Sequence, residues 1–123
     1  MENQKLAAKS FRDLFVWRKA HEFVIEVYRI TSTSPKSEAY GLTQQLRRAA
    51  VSIPANIAEG FTRRSKIEKV CFMNIAESSL EESRYYLILA QDLGYADTNL
   101  RMKLSDDVGR PLNVYGRTIL ASR

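Results

Sequence analysis

The chain has 123 residues, a formal net charge of +5 and one cysteine, Cys71. That length fits a single domain, one able to bury roughly two-thirds of its unfolded surface. A lone cysteine excludes an internal disulfide and fits a reducing, cytoplasmic setting. Three prolines and five glycines speak against an all-β or disordered chain. No run approaches the ~20 apolar residues of a membrane span.

The opening MENQKLAAKS lacks the basic-then-apolar order of a signal peptide. It reads as a flexible tail over 1–10, leaving 11–123 as one helical domain. Charge is uneven: residues 1–64 hold eleven Lys/Arg and six Asp/Glu, whereas residues 65–123 hold eight of each. The whole excess belongs to the first half, which permits a polyanionic partner without requiring one.

The apolar spacing predicts a first helix from about Leu14 to Thr31, with Asp13 as its N-cap. Arg18, Lys19, Glu22, Glu26 and Arg29 share one arc. Val16, Trp17, Ala20, Val24, Val27, Tyr28 and Ile30 fill much of the rest. That is more apolar arc than one bundle core needs, and the surplus suggests a subunit interface. Ser34-Pro35 then blocks helix continuation within a turn over 32–40.

The second helix, GLTQQLRRAAVSIPANIAEG over 41–60, carries three stripes. Leu42, Leu46, Ala49, Ala50, Ile53 and Ile57 are apolar. Gln45, Arg48, Ser52, Asn56 and Glu59 form a polar seam beside them. Val51, Ala55 and Ala58 make a small apolar stripe, so the helix looks built to touch neighbours on two sides. Pro54 removes one backbone donor, and the unbroken apolar phase favours one bent helix over two.

Ser65, with Glu68 three residues on, predicts the start of a third helix that ends near Leu93-Gly94. Its core stripe is expected to be Ile67, Cys71, Ile75, Ser78, Glu82, Tyr85, Leu89 and Leu93. Phe72, Ala76, Leu80, Leu87 and Ala90 form a second apolar face. A fourth helix starts near Thr98 or Asn99, with Leu100, Leu104, Val108, Leu112, Tyr115 and Ile119 in line and Pro111 interrupting. Four helices joined by short loops predict an all-α, antiparallel up-down four-helix bundle.

Glu82, in the middle of an apolar stripe, must be paired, protonated or metal-bound. It could join Glu59 as an acid/base or metal site. Otherwise it belongs to a structural polar network of Arg48, Ser52, Asn56, Glu59, Ser78 and Glu82. On the buried reading, Glu82→Ala costs roughly 3–5 kcal/mol. The motifs of metal and phosphate chemistry are missing. There is one histidine where a di-iron bundle needs two Glu-x-x-His motifs, no His-x-x-x-His or Cys-x-x-Cys pair, and no glycine-rich phosphate loop. His21 lies at the edge of an apolar arc and Cys71 on a core stripe, both as packing residues. The spacings from His21 to the arginines also fail the Arg-x4-6-His pattern of the helical HEPN ribonucleases. No enzyme and no cofactor is expected. Arg47, Arg63, Arg64, Lys66 and Lys69 are the candidate phosphate contacts, the last four flanking the turn between the second and third helices.

FRDLFVWRKA at 11–20, SPKSEAYGLTQQLRRAAVSIPANIAEG at 34–60 and FMNIAESSLEE at 72–82 carry a family likeness. They resemble the four-helix-bundle proteins encoded in intervening sequences of bacterial 23S ribosomal RNA genes. They also resemble the accessory variability proteins of diversity-generating retroelements. At Ser34-Pro35 the family usually has an aromatic before the proline, a departure expected to touch only loop packing. The resemblance implies a homopentamer. By analogy it also implies an RNA or ribonucleoprotein partner and a protein partner such as a reverse transcriptase. Family motif positions fall here on Asn56, Glu59, Ser78 and Glu82.

Overall fold

A computed structural model describes residues 8–33, 36–38 and 41–122. Most of the expected tail, the Ser34-Pro35 turn and Arg123 lie outside the described residues. The rest is all-α: four helices, α1 (Phe15–Thr31), α2 (Leu42–Phe61), α3 (Lys66–Asp92) and α4 (Asn99–Ala121), with two short 3-10 turns and no strand among the described residues.

Each boundary has a local cause. Asp13 does not cap α1. Its carboxylate instead accepts from the N–H groups of Lys9 and Ser10, closing a capping box on the 3-10 turn Phe11–Asp13. Those bonds hold its carboxyl below the usual carboxylate range. Leu14 takes the N-cap position of α1 with no side-chain bond. The second helix runs unbroken through Pro54, which is buried. The Ser65 hydroxyl accepts from the N–H of Glu68 at 3.2 Å and starts α3. Gly94, at φ +76°, ends it: the Tyr95 N–H reaches back to the Ala90 carbonyl at 2.9 Å. Thr98 then fastens the turn into α4. Its hydroxyl donates to the Leu87 carbonyl at 3.0 Å, and its N–H donates to the Gln91 side chain at 2.7 Å.

Contacts run α1 to α2, α2 to α3, α3 to α4 and α4 back to α1. The core takes Val16, Ala20, Phe23, Val24 and Val27 from α1, and Leu46, Ala50, Ile53 and Ile57 from α2. From α3 and α4 it takes Met73, Ala76, Leu80, Leu87, Val108, Leu112 and Ile119. The α1 and α4 ends of the cycle are joined by a half-buried ion pair, Arg101 to Glu26 at 2.9 Å. Between α3 and α4 the Arg84 guanidinium bonds Ser105 through hydroxyl and carbonyl, and also pairs with Asp106 and Glu81.

The main correction concerns α3. The expected core stripe faces outward: Ile67 is 76% exposed, Ile75 47%, Tyr85 57% and Leu93 53%, and Cys71, Ser78 and Glu82 are exposed too. The buried face is the second one, centred on Ala76, Leu80, Leu87 and Ala90, joined by Met73, Ser79 and Ser83. The physical reason is close helix pairing. At Gly60 of α2, an added Cβ would lie 2.8 Å from the Phe72 Cβ and 2.7 Å from the Met73 Cε. Backbones this near need small side chains between them, so α3 turns its Ala and Ser residues inward. In α4, Leu100 is 56% exposed while the rest of its stripe is buried or half-buried.

Candidate nucleic-acid interface and polar seam

Four of the five candidate cations gather at the α2–α3 turn, each held differently. The Lys69 ammonium donates to the carbonyls of Phe61 (2.9 Å) and Gly60 (3.4 Å), at the C-terminal end of α2. Lys66 donates to the carbonyls of Ser122 and Leu120, the last turn of α4. Both sites place a cation at helix-end carbonyls, which carry the negative end of a helix dipole. Arg63 pairs with Glu59 at 3.0 Å and lies 4.8 Å over the Phe72 ring. Arg64 is exposed, and its side chain makes no ion pair or hydrogen bond among the described residues.

Arg47 is not brought to this group. It sits 16 residues before Arg63, about 24 Å along the helix axis. There its guanidinium lies 4.4 Å over the Tyr28 ring and donates to the Thr31 hydroxyl at 2.8 Å, closing the α1–α2 junction.

The polar seam is partly joined. Asn56 donates to the Ser52 hydroxyl at 2.9 Å, and Ser79 donates to the same hydroxyl across the helix pair at 2.8 Å. Ser79, not Ser78, makes that crossing. It falls one position, or 100°, from the expected face, as the rotated phase of α3 requires. The other three expected members do not meet. Arg48 donates to Gln45 at 2.7 Å, Glu59 turns to Arg63, and exposed Glu82 accepts from the Tyr86 hydroxyl at 2.9 Å. The Glu82 carboxylate raises the Tyr86 phenol above its ordinary pKa, burial adds to the rise, and nearby Arg48 opposes it. Glu82 is thus a surface residue and not the buried carboxylate that its place on an apolar stripe suggested.

The Glu59 and Glu82 carboxylates thus have separate partners, Arg63 and Tyr86. No group of three or more metal-ligating side chains occurs among the described residues. His21 is exposed and stacks on Trp17 at 5.1 Å, with Phe11 edge-on to the indole at 5.0 Å. An open groove of about 690 Å³ between α3 and α4 is lined by Leu80, Arg84, Asp106 and Gly109 among others. Its central guanidinium is already spent on protein partners. No described helix is long and apolar enough to cross a membrane.

A family model described as 23S rRNA-intervening sequence protein matches residues 12–113. No curated protein matches the chain. Among solved structures, a protein of unknown function from the S23 ribosomal protein family of Bacteroides thetaiotaomicron superposes with a TM-score of 0.61 at 20% identity. The match covers 86% of this chain and 95% of that one, and at this identity it bears on the fold alone.

Proposed function

Because the chain belongs to the 23S rRNA-intervening sequence protein family, we propose a non-enzymatic role. In this reading it is a self-associating, up-down helix bundle that binds RNA or a ribonucleoprotein through the α2–α3 turn. The up-down arrangement is supported by pairs that step in opposite directions. Ser52 meets Ser79 while Gly60 meets Lys69, and Arg84 meets Ser105 while Lys66 meets Leu120.

The observation that carries the RNA reading is the chemistry of the partners at the turn. Carbonyls position the Lys66 ammonium group without cancelling its charge, and Arg64 has no acidic partner among the described residues. Arg63, by contrast, is paired with Glu59. Such a group contacts phosphates without reading bases. In a closed assembly, such as the five-copy ring the resemblance implies, it repeats with each copy and the field grows.

The test is binding of a structured RNA across a salt series, with Arg63→Glu and Arg64→Glu together as the control. Affinity should fall steeply with salt, and the double reversal should flatten the slope by at least the Arg64 phosphate contact, worth roughly 0.7–0.9 in log–log slope. Unchanged affinity in the variant would remove the turn from the account. A second reading, a protein scaffold with no nucleic-acid role, draws on the apolar residues exposed along α3. Complexes that survive nuclease treatment, together with no RNA binding at low salt, would favour it.

A further inference from the structure

The outward surfaces of α2 and α3 differ in a complementary way. On α3, Ile67, Cys71, Ile75, Tyr85, Leu89 and Leu93 project to one side along about 39 Å of helix, with the polar Ser78 and Glu82 between them, and all are exposed except the half-buried Leu89. On α2 the outward stripe is Val51, Ala55 and Ala58, short side chains that leave the helix backbone open to close approach. The first is a ridge and the second a shallow groove. A monomer rarely exposes so long an apolar stripe.

Charge divides the same way. Arg48 flanks the groove on α2 and bonds the Gln45 amide; Glu82 lies within the ridge on α3 and bonds the Tyr86 hydroxyl, which Arg48 also lies near. Neither forms an ion pair among the described residues. One chain therefore carries both halves of a contact, in shape and in charge.

We infer that the α3 ridge of one copy lies in the α2 groove of the next, with Glu82 of the first facing Arg48 of the second. The inference rests on the self-association reading and names the surface it uses. In the ring of the self-association reading the contact is head-to-tail: every copy keeps one free groove and one free ridge until the ring closes. The partner is a second copy of this chain, since its own groove and ridge match each other. The exposed apolar residues of α4 form no comparable ridge: Leu100 and Val114 share a face but stand about four turns apart, and Leu120 points elsewhere.

The experiment is light-scattering mass over a concentration series for the wild type, Ala55→Glu (groove blocked), Ile75→Glu (ridge blocked) and Val114→Glu (control). Helix content from circular dichroism verifies each fold. The wild type and Val114→Glu should share one oligomeric mass, and each blocked variant alone should be monomeric. An equal mixture of the two should form a dimer and nothing larger, because only one intact groove and one intact ridge remain. As an independent arm, Arg48→Glu and Glu82→Arg should each weaken assembly, and the double exchange should restore it. A monomeric wild type would overturn the self-association reading and this contact together. An oligomeric wild type with a blocked variant of unchanged mass would overturn this contact alone. So would a mixture that stays monomeric, or a double exchange that fails to restore assembly.

Discussion

Helices α2 and α3 pair closely, and each presents apolar residues in two directions, yet they resolve that ambiguity in opposite ways. In α2 the bulky stripe is buried: Leu46, Ile53 and Ile57 are at most 2% exposed, while Val51 is 40% exposed. In α3 Ile67, Ile75, Tyr85 and Leu93 stay outside, and the buried face mixes Met73, Leu80 and Leu87 with the small Ala76, Ser79 and Ser83. Large side chains fill a core where helices stand apart; small ones permit a crossing as tight as the one at Gly60. Burial of a stripe is therefore decided by the neighbour's distance as well as by the stripe's own hydrophobicity.

The largest expected effect that tests this contrast is Leu87→Ala, at a fully buried position. It should cost about 2–5 kcal/mol, whereas Leu93→Ala, one and a half turns on but on the outer ridge, should stay within about 0.5 kcal/mol. Urea unfolding of both in the Ile75→Glu chain, where assembly contributes nothing, gives the comparison; equal costs would return α3 to the opposite phase. Next is Gly60→Ala. Its methyl group has to displace the Phe72 Cβ, part of a helix that is itself packed, so a loss of about 1–3 kcal/mol is expected. No loss would mean that the two helices separate easily.

The smallest effect belongs to Glu82→Ala. On the same background it should change stability by no more than about 0.5 kcal/mol, in place of the several expected of a buried charge. The Tyr86 phenol should respond more visibly. With Glu82 present, its pKa lies above the ordinary value of 10.0, so the hydrogen bond stabilises the fold below that pH and is lost as pH climbs through the raised value. Removing Glu82 should move one tyrosine transition to lower pH in an ultraviolet titration. A titration that does not move would break the Glu82–Tyr86 contact.

Element positions were legible because their signals are local. Ser65, Gly94 and Thr98 mark α3 and α4 by side-chain bonding or backbone geometry that involves only near neighbours in sequence. The rotational phase of α2 was legible too, since one of its stripes is plainly bulkier. For α3 both stripes are apolar, and the deciding quantity, how near α2 comes, is absent from α3's own sequence. From that one rotation follow the misplacement of Glu82 and Cys71 and the exchange of Ser78 for Ser79. Phe23, 1% exposed in the core, belonged to neither of the arcs drawn for the first helix. The basic turn was visible as a cluster, but the division between carbonyl-held Lys66 and Lys69, acid-paired Arg63 and exposed Arg64 depends on where the ends of α2 and α4 arrive.

The Glu26–Arg101 ion pair spans 75 residues of chain, whereas Ser52 and Ser79 are 27 apart and Gly60 and Lys69 only nine. Closing a loop costs more entropy as it lengthens. The molecule is thus three pairings of helices adjacent in sequence, α1 with α2, α2 with α3 and α3 with α4, and one long stitch that draws α1 against α4. During folding the adjacent pairs can assemble from nearby partners, and the stitch must wait until both ends of the chain are in place. The same order in reverse makes the α1–α4 edge the natural place for the native protein to open first, ahead of the tight crossing at its centre.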